Sequence, residues 1–530
     1  MVSRFVRKVR TASGAVAVQV VTRRGQVVEQ VEHVGSAHTD AELALLLAAA
    51  RELLSPGQDV LDLGELAAVP SRIADVADWT TTTLEAPQVR ANGGRPPTVS
   101  AGGRVVGTSA VLLWEVLTSA YARLGFDVLA DAGFAAMVLA RIVEPTSKAE
   151  VVRVLDEIGA PAVSLRTMFR SLARAQVLDY RGPLATACRA HCARTTGTGA
   201  LVLYDVTTLH FENKDEDDLR KVGMSKERRA DPQVQVGLLV DPGGFPLEVH
   251  LFEGNKAETT TLIPVLKAFQ ERHDVTDTVV VADAGMLSAA NLNALEDAGF
   301  SFIVGSRLTK APYDLADHFE RHGNYFTDGQ VLESSRVMGT GKTARDRRVV
   351  YQWKFKRNKH DDKAINAMIE RAEKIADGRV PLRKARFLKI TGATKALDQA
   401  TIDRARQLAG LKGYVTNLPQ EAMNGIAVIA AYHDLWRVEE SFRMTKSDLR
   451  ARPVFHHQRE AIEAHLTVVF AALAVSRHLQ EATGTSIKKL VQALRTARSA
   501  TIEINGQRLT LDPELTSAAR DILNRLETGH

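Results

Sequence analysis

The pattern of apolar and polar residues changes character several times along the chain. Three β-branched runs near the N-terminus predict three short strands, at 4–9, 15–22 and 27–34. Thr39 and Glu42 then fit a capping box, which predicts a helix that extends to about Leu54. The Gly- and Pro-rich residues 87–107 predict a linker, so the first 86 residues are expected to form a separate strand and helix region.

Residues 108–197 are predicted to be helical. Ser147 and Glu150 fit a capping box at the start of one helix that ends near Gly159, and Ser164 is placed to begin the next.

The second of these helices has the sequence SLRTMFRSLARAQ and carries Arg166, Arg170 and Arg174. A helix, a break that contains glycine and an arginine-bearing helix resemble a helix-turn-helix, so Arg166 and Arg170 are candidate DNA contacts. Two ordinary packed helices with a solvated basic face are the alternative.

A different pattern begins at about residue 198 and predicts five strands. These are ALVLYDVTTLHFE (200–212), QVQVGLLVD (233–241), FPLEVHLFEG (245–254), DTVVVADAG (277–285) and FSFIVGS (300–306). Helical periodicity at 256–272 and 287–298 places a helix on each side of the fourth strand. Three meandering strands followed by alternating helices and strands predict a mixed sheet flanked by helices.

This α/β pattern is interrupted at residues 307–412. Short strand signals such as YQWKFK and RFLKITG accompany a basic helical stretch at 358–386. GYVTNL (413–418) then predicts a returning strand, which precedes a long helix. An insertion within the α/β domain is the simplest account, and residues 481–530 are predicted to be a helical C-terminal region.

Composition places the chain among ordinary soluble multidomain proteins. A length of 530 residues predicts two to four domains, and 45% hydrophobic with 25% charged residues is usual for globular proteins. The net charge of +5 and the isoelectric point near 9.0 are compatible with nucleic acid as a partner but do not demonstrate it.

The two cysteines, Cys188 and Cys192, exclude a disulfide framework and suit a reducing compartment. With His191 between them they allow a zinc interpretation, but reduced helical cysteines are favoured. The N-terminus has no apolar region of a signal peptide, and the apolar run at 466–475 is too short to span a bilayer. A cytoplasmic protein without membrane contact is therefore expected.

Candidate chemistry lies with three acids. Asp205 and Asp283 each follow a strand-like apolar run, LVLY and VVVA, at the sheet edge where ligands usually bind. Either one alone is more often a cap or turn residue. Together with Glu439 on the late helix they are suited to a two-metal phosphoryl-transfer site, because paired Mg²⁺ ions need shared carboxylate oxygens.

The late helix presents several polar groups on one face. Tyr432, Glu439 and Lys446 are spaced seven residues apart and Arg443 lies close to them on the helical wheel. Arg443 and Lys446 are candidates to hold a phosphate near the metals. Glu439 is preferred to Glu440, which is expected to be rotated about 100° further, toward solvent. An ordinary surface helix with ion pairs is the alternative.

Phosphate-binding glycine loops and the HExxH and GxSxG motifs are absent from the sequence, so competing nucleotide, zinc peptidase and serine hydrolase interpretations lack support. The segments YDVTTLHFE, VVADAGMLS and YHDLWRVEESFRMTKSDLRARPVFHH instead resemble the three motif blocks of bacterial insertion-sequence transposases with an Asp-Asp-Glu triad. The branch that they resemble is marked by a Tyr-x2-Arg-x3-Glu-x6-Lys signature, and the similarity spans about residues 198–480.

The resemblance implies a ribonuclease H-like domain in which Asp205, Asp283 and Glu439 bind two Mg²⁺ ions, for which Mn²⁺ can substitute. It also implies that Tyr432 and Lys446 contact DNA phosphates. The signature arginine is replaced by Leu435, and Arg437 is rotated about 200° away from that position.

Residues 307–412 would correspond to the β-rich insertion of the family, which helps to hold a flipped base or hairpin end. Trp353, flanked by Tyr351, Lys354 and Lys356, is the candidate for base stacking there. A half-buried tryptophan in a sheet is the alternative.

The fold class that follows is a multidomain α/β protein with a ribonuclease H-like mixed sheet. Its predicted parts are an N-terminal strand and helix region (1–86), a linker (87–107), a helical DNA-binding region (108–197), the catalytic domain (198–306 and 413–480), a β-rich insertion (307–412) and a C-terminal helical region (481–530).

The implied function is a transposase that cuts at the terminal inverted repeats of its element and joins the 3′-hydroxyl ends to target DNA. Synapsis of two ends implies a homodimer or a higher oligomer, in the bacterial cytoplasm and associated with the nucleoid when bound. Two alternatives remain at this point: a DNA-binding protein derived from a transposase, and a metal-dependent DNA endonuclease that does not join ends. Hydrolases that use three carboxylates on other substrates are a further class.

Overall fold

The structure is a computed structural model. It describes residues 2–10, 16–24, 27–37, 104–197, 199–212, 215–223, 231–257, 260–286, 288–306, 315–381, 385–391, 394–454, 456, 458–504 and 507–527. The chain divides into two compact units, Met1–Thr98 and Val99–His530, and each is described by itself.

The first unit contains a three-stranded antiparallel sheet. Its strands, in the order β1-β2-β3, are β1 (Val2–Arg10), β2 (Val16–Arg24) and β3 (Val27–Ala37). Val18, Val20 and Val21 of β2 are buried. The prediction of three N-terminal strands is confirmed. The helix predicted from Thr39 to Leu54 lies outside the described residues.

The second unit begins with a strand, β4 (Arg104–Ser109), and a set of helices. The helices are α1 (Val111–Arg123), α2 (Ala132–Val143), α3 (Lys148–Glu157), α4 (Leu165–Val177) and α5 (Arg181–Thr195). The Ser147 hydroxyl accepts a hydrogen bond from the Glu150 amide at 3.3 Å, and the Ser164 hydroxyl accepts one from the Thr167 amide at 3.1 Å. Both predicted helix starts are therefore confirmed, because the capping chemistry is local.

The centre of this unit is an eight-stranded mixed sheet with the order β10-β11-β14-β9-β8-β5-β6-β7. Its strands are β5 (Leu201–His210), β6 (Gln233–Val240), β7 (Pro246–Glu253), β8 (Val279–Ala282), β9 (Ser301–Ser306), β10 (Val331–Met338), β11 (Arg345–Trp353) and β14 (Leu411–Thr416). β8 runs parallel to both β5 and β9, and the remaining neighbours are antiparallel. The five predicted strands are confirmed, with α6 (Leu262–His273) and α7 (Ala289–Asp297) between them.

The predicted insertion at 307–412 is separate only in part. α8 (Ala316–His322) precedes β10, and the strands β10 and β11 then extend the main sheet by pairing through β14, so these strands are not part of a detached domain. The remainder consists of α9 (Phe355–Ala376), the hairpin strands β12 (Leu388–Thr391) and β13 (Thr394–Leu397), and α10 (Gln399–Gln407). This remainder has a small core of its own that includes Ile365, Phe387 and Ile402.

The end of the chain differs from the expected helical region. α13 (Arg459–Thr483), α14 (Ile487–Thr496) and α15 (Ser517–Glu527) are helices, but β15 (Ser499–Ile504) and β16 (Gln507–Leu511) form a hairpin. β15 also pairs with β4, which lies at the end of the predicted linker. Because β16 is exposed along its whole length, no apolar run marks it in the sequence.

α13 is, among the described residues, long and apolar enough by length and composition to cross a membrane. The sequence analysis considered only the apolar run at 466–475, which is too short to span a bilayer, whereas the helix that contains it has 25 residues. However, 83% of its most apolar 18-residue stretch is buried inside the fold, as in the core helix of a compact domain.

Candidate active site

The two aspartates lie at the same level of adjacent parallel strands. The last paired residues of β5 and β8 in register are Leu203 and Val281, and Asp205 and Asp283 are each two residues further on. β8 ends at Ala282, one residue before Asp283, and Asp205 shares a face of β5 with Leu203, because side chains two residues apart along a strand point to the same face. The expectation that Asp205 ends its strand is wrong, since β5 continues to His210.

Asp283 is oriented by two hydrogen bonds to one of its oxygens. The Tyr432 hydroxyl donates to Oδ1 at 3.1 Å, and the amide of the following residue, Ala284, donates to the same oxygen at 2.6 Å. The second carboxylate oxygen, Oδ2, accepts neither of these two hydrogen bonds, and the two bonds to Oδ1 determine where Oδ2 points.

Glu439 lies on α12 (Trp436–Ser447), which follows α11 (Gly425–His433) after a turn at Asp434 and Leu435. The prediction of one long helix is therefore wrong. The turn is closed by the Leu435 amide, which donates to the Tyr432 carbonyl at 3.2 Å. Leu435, at the position of the signature arginine, is buried.

A cavity of about 470 Å³ contains two of the three acids and both predicted phosphate contacts of α12. Its lining residues are Asp205, Thr207, Glu439, Phe442, Arg443, Lys446, Ser447 and Arg452. Val438 and Phe442 are buried and anchor α12, and this leaves Glu439 and Arg443 exposed on the side of the cavity. Carboxylates and cations thus share one concave surface, as expected of a site for a phosphate ester and a divalent cation.

Tyr432 is hydrogen-bonded to the third acid, Asp283, and interacts electrostatically with Glu439 of the cavity. Burial raises the pKa of its hydroxyl, and the negative charges of Asp283 and Glu439 raise it further. The Lys412 ammonium lies 4.3 Å from the centre of the Tyr432 ring. Burial, together with the charge of Arg357, lowers the pKa of Lys412, while Asp283 opposes that shift. Lys412 is therefore a cationic group near Asp283, in addition to Arg443 and Lys446 of the cavity.

The position of Tyr432 depends on a glycine in β9. A Cβ atom at Gly305 would overlap the Tyr432 hydroxyl and would come within 2.8 Å of its ring carbon Cζ. Gly305 pairs with Tyr414 of β14, whose ring packs against Tyr432 at 4.9 Å. The close approach of ring and backbone therefore requires a residue without a side chain.

We expect Gly305→Ala to move the Tyr432 hydroxyl away from Asp283 and to lower the rate of the metal-dependent DNA cutting that the sequence resemblance implies by about 10²-fold, because a misplacement of about 1 Å has that effect in oriented sites. Gly107→Ala is the matched control, since no atom lies within 4 Å of the added Cβ there. Cutting of a labelled duplex is compared for the two variants after circular dichroism has established folding. Equal rates for both variants would exclude Tyr432 as the group that positions Asp283.

Glu439 and Glu440 differ in exposure, but Glu440 is not the solvent-facing residue of the two, contrary to the prediction. Glu440 does not point to solvent: its Oε2 accepts a hydrogen bond from Arg477 of α13 at 2.9 Å, and both side chains are largely buried. Glu439 is the exposed member of the pair and lines the cavity. The helical wheel gave the wrong direction for Glu440 because the partner helix α13 covers that side.

No group of three or more His, Cys, Asp or Glu side chains lies close enough together to hold a metal ion among the residues that the structure describes. The donor set nevertheless fits Mg²⁺, which is usually bound by one or two carboxylates together with water and substrate phosphates. Asp205 and Glu439 supply two such carboxylates in one cavity. Cys188 and Cys192 are buried, and the Cys192 thiol contacts an oxygen of Asp241 at 3.6 Å, which agrees with ordinary packed cysteines.

The arginines of α4 are not equivalent. Arg166 and Arg170 are exposed, whereas Arg174 forms an ion pair with the buried Asp131 at 2.7 Å. Arg174 therefore holds the helices together, and a DNA contact by Arg166 and Arg170 stays a prediction.

Trp353 is packed rather than presented to solvent. Its indole Nε1 donates to the Ala409 carbonyl at 3.0 Å, and the Phe326 ring is stacked against it with 5.9 Å between the ring centres. These contacts favour the sheet-tryptophan alternative, and base stacking by Trp353 stays a prediction.

Sequence reasoning missed two cations of this region. Lys412 comes from β14, which lies outside the motif blocks, and Arg452 comes from the segment after α12 near the end of the third block. Arg452 lies in the segment RARP directly after the third motif helix, and its charge was the only available signal.

The eight-stranded mixed sheet flanked by helices, with Asp205 on β5 and Asp283 directly after the parallel strand β8, is consistent with a ribonuclease H-like domain. Residues 196–475 match the family model described as the transposase DDE domain, and the chain belongs to that family. Among solved structures, the chain is similar to a piggyBac transposase in a synaptic complex with hairpin DNA, at 10% sequence identity and a TM-score of 0.36, over 77% of this chain and 73% of that chain. No curated protein matches this chain.

Proposed function

We propose that the protein is a bacterial insertion-sequence transposase that cuts DNA at the terminal inverted repeats of its element and joins the freed 3′-hydroxyl ends to target DNA. The observation that carries this proposal is the cavity that combines Asp205 and Glu439 with Arg443 and Lys446, next to Asp283 at the same level of the neighbouring strand. Membership of the transposase family supplies the substrate class.

Asp205, Asp283 and Glu439 would hold two Mg²⁺ ions, or Mn²⁺ in their place. Such ions activate an attacking oxygen and stabilise the leaving oxygen of an in-line displacement at phosphorus. The acids would contribute hard oxygen ligands, and substrate phosphates would supply further ones. Asp205 and Asp283 at adjacent strands and Glu439 on α12 would be positioned before the reaction, so that little reorganisation is needed during it.

The cations of the cavity would bind and orient the DNA backbone. Arg443 and Lys446 are placed to hold phosphates on the Asp205 side, and Arg443 can bind bidentately. Tyr432 keeps Asp283 in orientation through its hydrogen bond, and Lys412 supplies positive charge beside it. Leu435, at the position of the signature arginine, is buried and uncharged. In this proposal Arg443, Lys446 and Lys412 supply the positive charge that this arginine would provide.

End recognition is assigned to the helical segment before the sheet, where Arg166 and Arg170 are exposed on α4. Binding through phosphate contacts should weaken steeply as salt increases, because each contact releases condensed counterions. Two ends must be brought together before joining, so the active species is proposed to be at least a homodimer.

The test uses the purified chain, a labelled duplex that carries the inverted repeat flanking its gene, a target plasmid and Mg²⁺ or Mn²⁺. We expect cutting at the repeat boundary and transfer of labelled strands to the plasmid. Tight binding without cutting would support the DNA-binding alternative, and cutting without transfer would support the endonuclease alternative. If the protein neither binds nor cuts, the proposed function is wrong.

A further inference from the structure

The small sheet formed by β16, β15 and β4 ends in an unpaired strand. Its order is β16-β15-β4, so β16 pairs with β15 on one side, and among the described residues no strand pairs with its other edge. Every residue of β16 is exposed. The main-chain amides and carbonyls along such an edge can accept a further strand, so an uncovered edge is a surface to which another chain can add.

One face of this edge is apolar. Leu509 and Leu511 are two residues apart and therefore share a face of β16, and their side chains are 55% and 44% exposed. Their partners in β15, Ile502 and Ala500, lie on the same face. Large apolar side chains that are this exposed beside one another are typical of an interaction surface.

The direction of the main-chain groups of β16 follows from its hairpin with β15. Ile504 and Gln507 form the pair next to the two residues that join the strands. In a hairpin with a two-residue connection this pair exchanges hydrogen bonds, and along the strands such pairs alternate with pairs that exchange none. The amides and carbonyls of Arg508 and Thr510 therefore point to the free edge, and Asp512 is the next position of that alternation.

A second copy of β16, antiparallel to the first and related to it by a twofold axis, fits this edge. With the axis at Thr510, this residue lies opposite its own counterpart, and Arg508 of each copy lies opposite Asp512 of the other. These are the positions whose amides and carbonyls point to the free edge, so they can exchange hydrogen bonds across the junction. Opposite charges directly across a strand pair are favourable.

The same register brings apolar side chains together, because Leu509 of each copy lies opposite Leu511 of the other. The alternative registers are less favourable. An axis at Arg508 or at Asp512 would place like charges opposite each other. An axis at Leu509 or at Leu511 would pair one of the charged residues with Thr510 and would leave the two opposite charges apart.

We infer that β16 is an interface between two copies of this chain, in which the two β16 strands pair antiparallel with Thr510 on the twofold axis. The inference deepens the proposed function, which needs at least a homodimer, and rests on it only for that need. The two small sheets then form one continuous sheet. Because the paired segment is short, the interface is at the small, transient end of specific complexes, and the dimer is in concentration-dependent equilibrium with the monomer.

Thr510→Cys in the full chain, without DNA, is the direct test. Residues of a hydrogen-bonded antiparallel pair have Cα atoms about 5.5 Å apart, which suits a disulfide, so mild oxidation should link two copies covalently. Thr501→Cys is the matched control, because Thr501 is the partner of Thr510 in β15 and the two copies of Thr501 would be about 14 Å apart. The native thiols of Cys188 and Cys192 are buried.

The charges provide a second test that does not depend on oxidation. Asp512→Arg and Arg508→Glu each place like charges opposite each other on both sides of the axis. Each variant alone should therefore dimerise at least about 5-fold more weakly than the wild type in sedimentation equilibrium. An equimolar mixture of the two variants restores both opposite-charge pairs and should dimerise more strongly than either variant alone.

The mixture also controls for effects within one chain. Arg508 contacts Glu503 of its own hairpin at 3.4 Å, and Arg508→Glu loses this exposed contact whether it is alone or mixed. A variant that failed to fold would not be rescued by the other variant, so rescue on mixing is specific to the contact between copies.

Several outcomes would overturn the inference. These are a wild type that remains monomeric at all concentrations, equal cross-linking of Thr510→Cys and Thr501→Cys, and charge variants whose mixture dimerises no better than each alone. A wild-type dimer without cross-linking at Thr510 would place the interface on another surface. None of these measurements uses DNA or metal, so normal cutting and joining would leave the proposed function standing. Pairing through β16 in a protein that neither binds nor cuts DNA would remove the proposed function alone.

Discussion

Asp205→Asn and Glu439→Gln are each expected to lower metal-dependent DNA cutting by about 10³-fold or more, while affinity for the duplex stays within a few-fold of the wild type. Both carboxylates line the cavity that also contains Arg443 and Lys446, so each amide removes a hard, charged oxygen ligand without changing the volume of the side chain. Loss of several kcal/mol of transition-state stabilisation corresponds to that change in rate. Single-turnover cutting and electrophoretic mobility shifts provide the two measurements.

Glu440→Gln is the matched control for this prediction, because it is the same substitution one residue further along α12. Glu440 is held by Arg477 and does not line the cavity, so its variant should lose stability but retain cutting at temperatures at which it is folded. If Glu440→Gln were inactive and Glu439→Gln active, the assignment of the helix carboxylate would have to be reversed.

The largest effect on stability is expected at Asp131, which caps α2 and joins three helices. Its carboxylate accepts hydrogen bonds from the Phe134 amide at 3.0 Å, the Ser171 hydroxyl at 2.6 Å and the Tyr180 hydroxyl at 2.9 Å, and it pairs with Arg174. Asp131→Ala removes the helix cap and leaves buried hydroxyl donors without their acceptor. We expect it to lower the free energy of unfolding by about 3 kcal/mol, measured by urea denaturation.

Arg174→Gln is the control, because the Arg174 side chain is 49% exposed and can be solvated once the pair is broken.

The effect of Asp131 also depends on pH in a defined direction. Burial would raise its pKa, but the hydrogen bonds from Ser171, Phe134 and Tyr180 and the contact with Arg174 outweigh burial and lower it. The charged form therefore stabilises the fold above the unfolded pKa of about 3.9, and this contribution is lost as the pH falls through the lower folded value. An Asp131→Ala effect that stayed constant down to pH 2 would contradict this.

The parts of the fold that could be predicted from the sequence are those set by local patterns. β8 is a continuous apolar run and β5, β6 and β9 each contain one, as expected of buried strands, and the caps at Ser147 and Ser164 depend on residues three positions apart. The pairing of β11 with β14, which adds the β10–β11 hairpin to the main sheet, is a non-local property, and the alternation in those strands resembles that of any short strand. The hairpin of β15 and β16 is a local pairing and was missed because β16 is exposed and no apolar run marks it, whereas the pairing of β15 with β4 is non-local.

For the candidate site, the sequence indicated the three acids and the cationic face of α12, but not how the elements meet. The helical wheel across residues 432 to 446 assumed one straight helix, whereas the chain turns at Asp434 and Leu435 between two helices. Glu440 was assigned to solvent because α13 and its Arg477 could not be placed beside it. Lys412 approaches Tyr432 from another strand, and such encounters are determined by sheet order rather than by spacing along the chain.

The central claim is that Asp283, hydrogen-bonded by Tyr432, acts with the two acids of the cavity in cutting DNA. The most direct measurement compares the wild type with Asp283→Ala on a labelled duplex that ends in the flanking inverted repeat, with Mg²⁺ or Mn²⁺ and with chelator. The account predicts metal-dependent cutting at the repeat boundary by the wild type, and loss of cutting with retained binding in the variant. Full cutting by Asp283→Ala, or cutting by the wild type that persists in chelator, would contradict it.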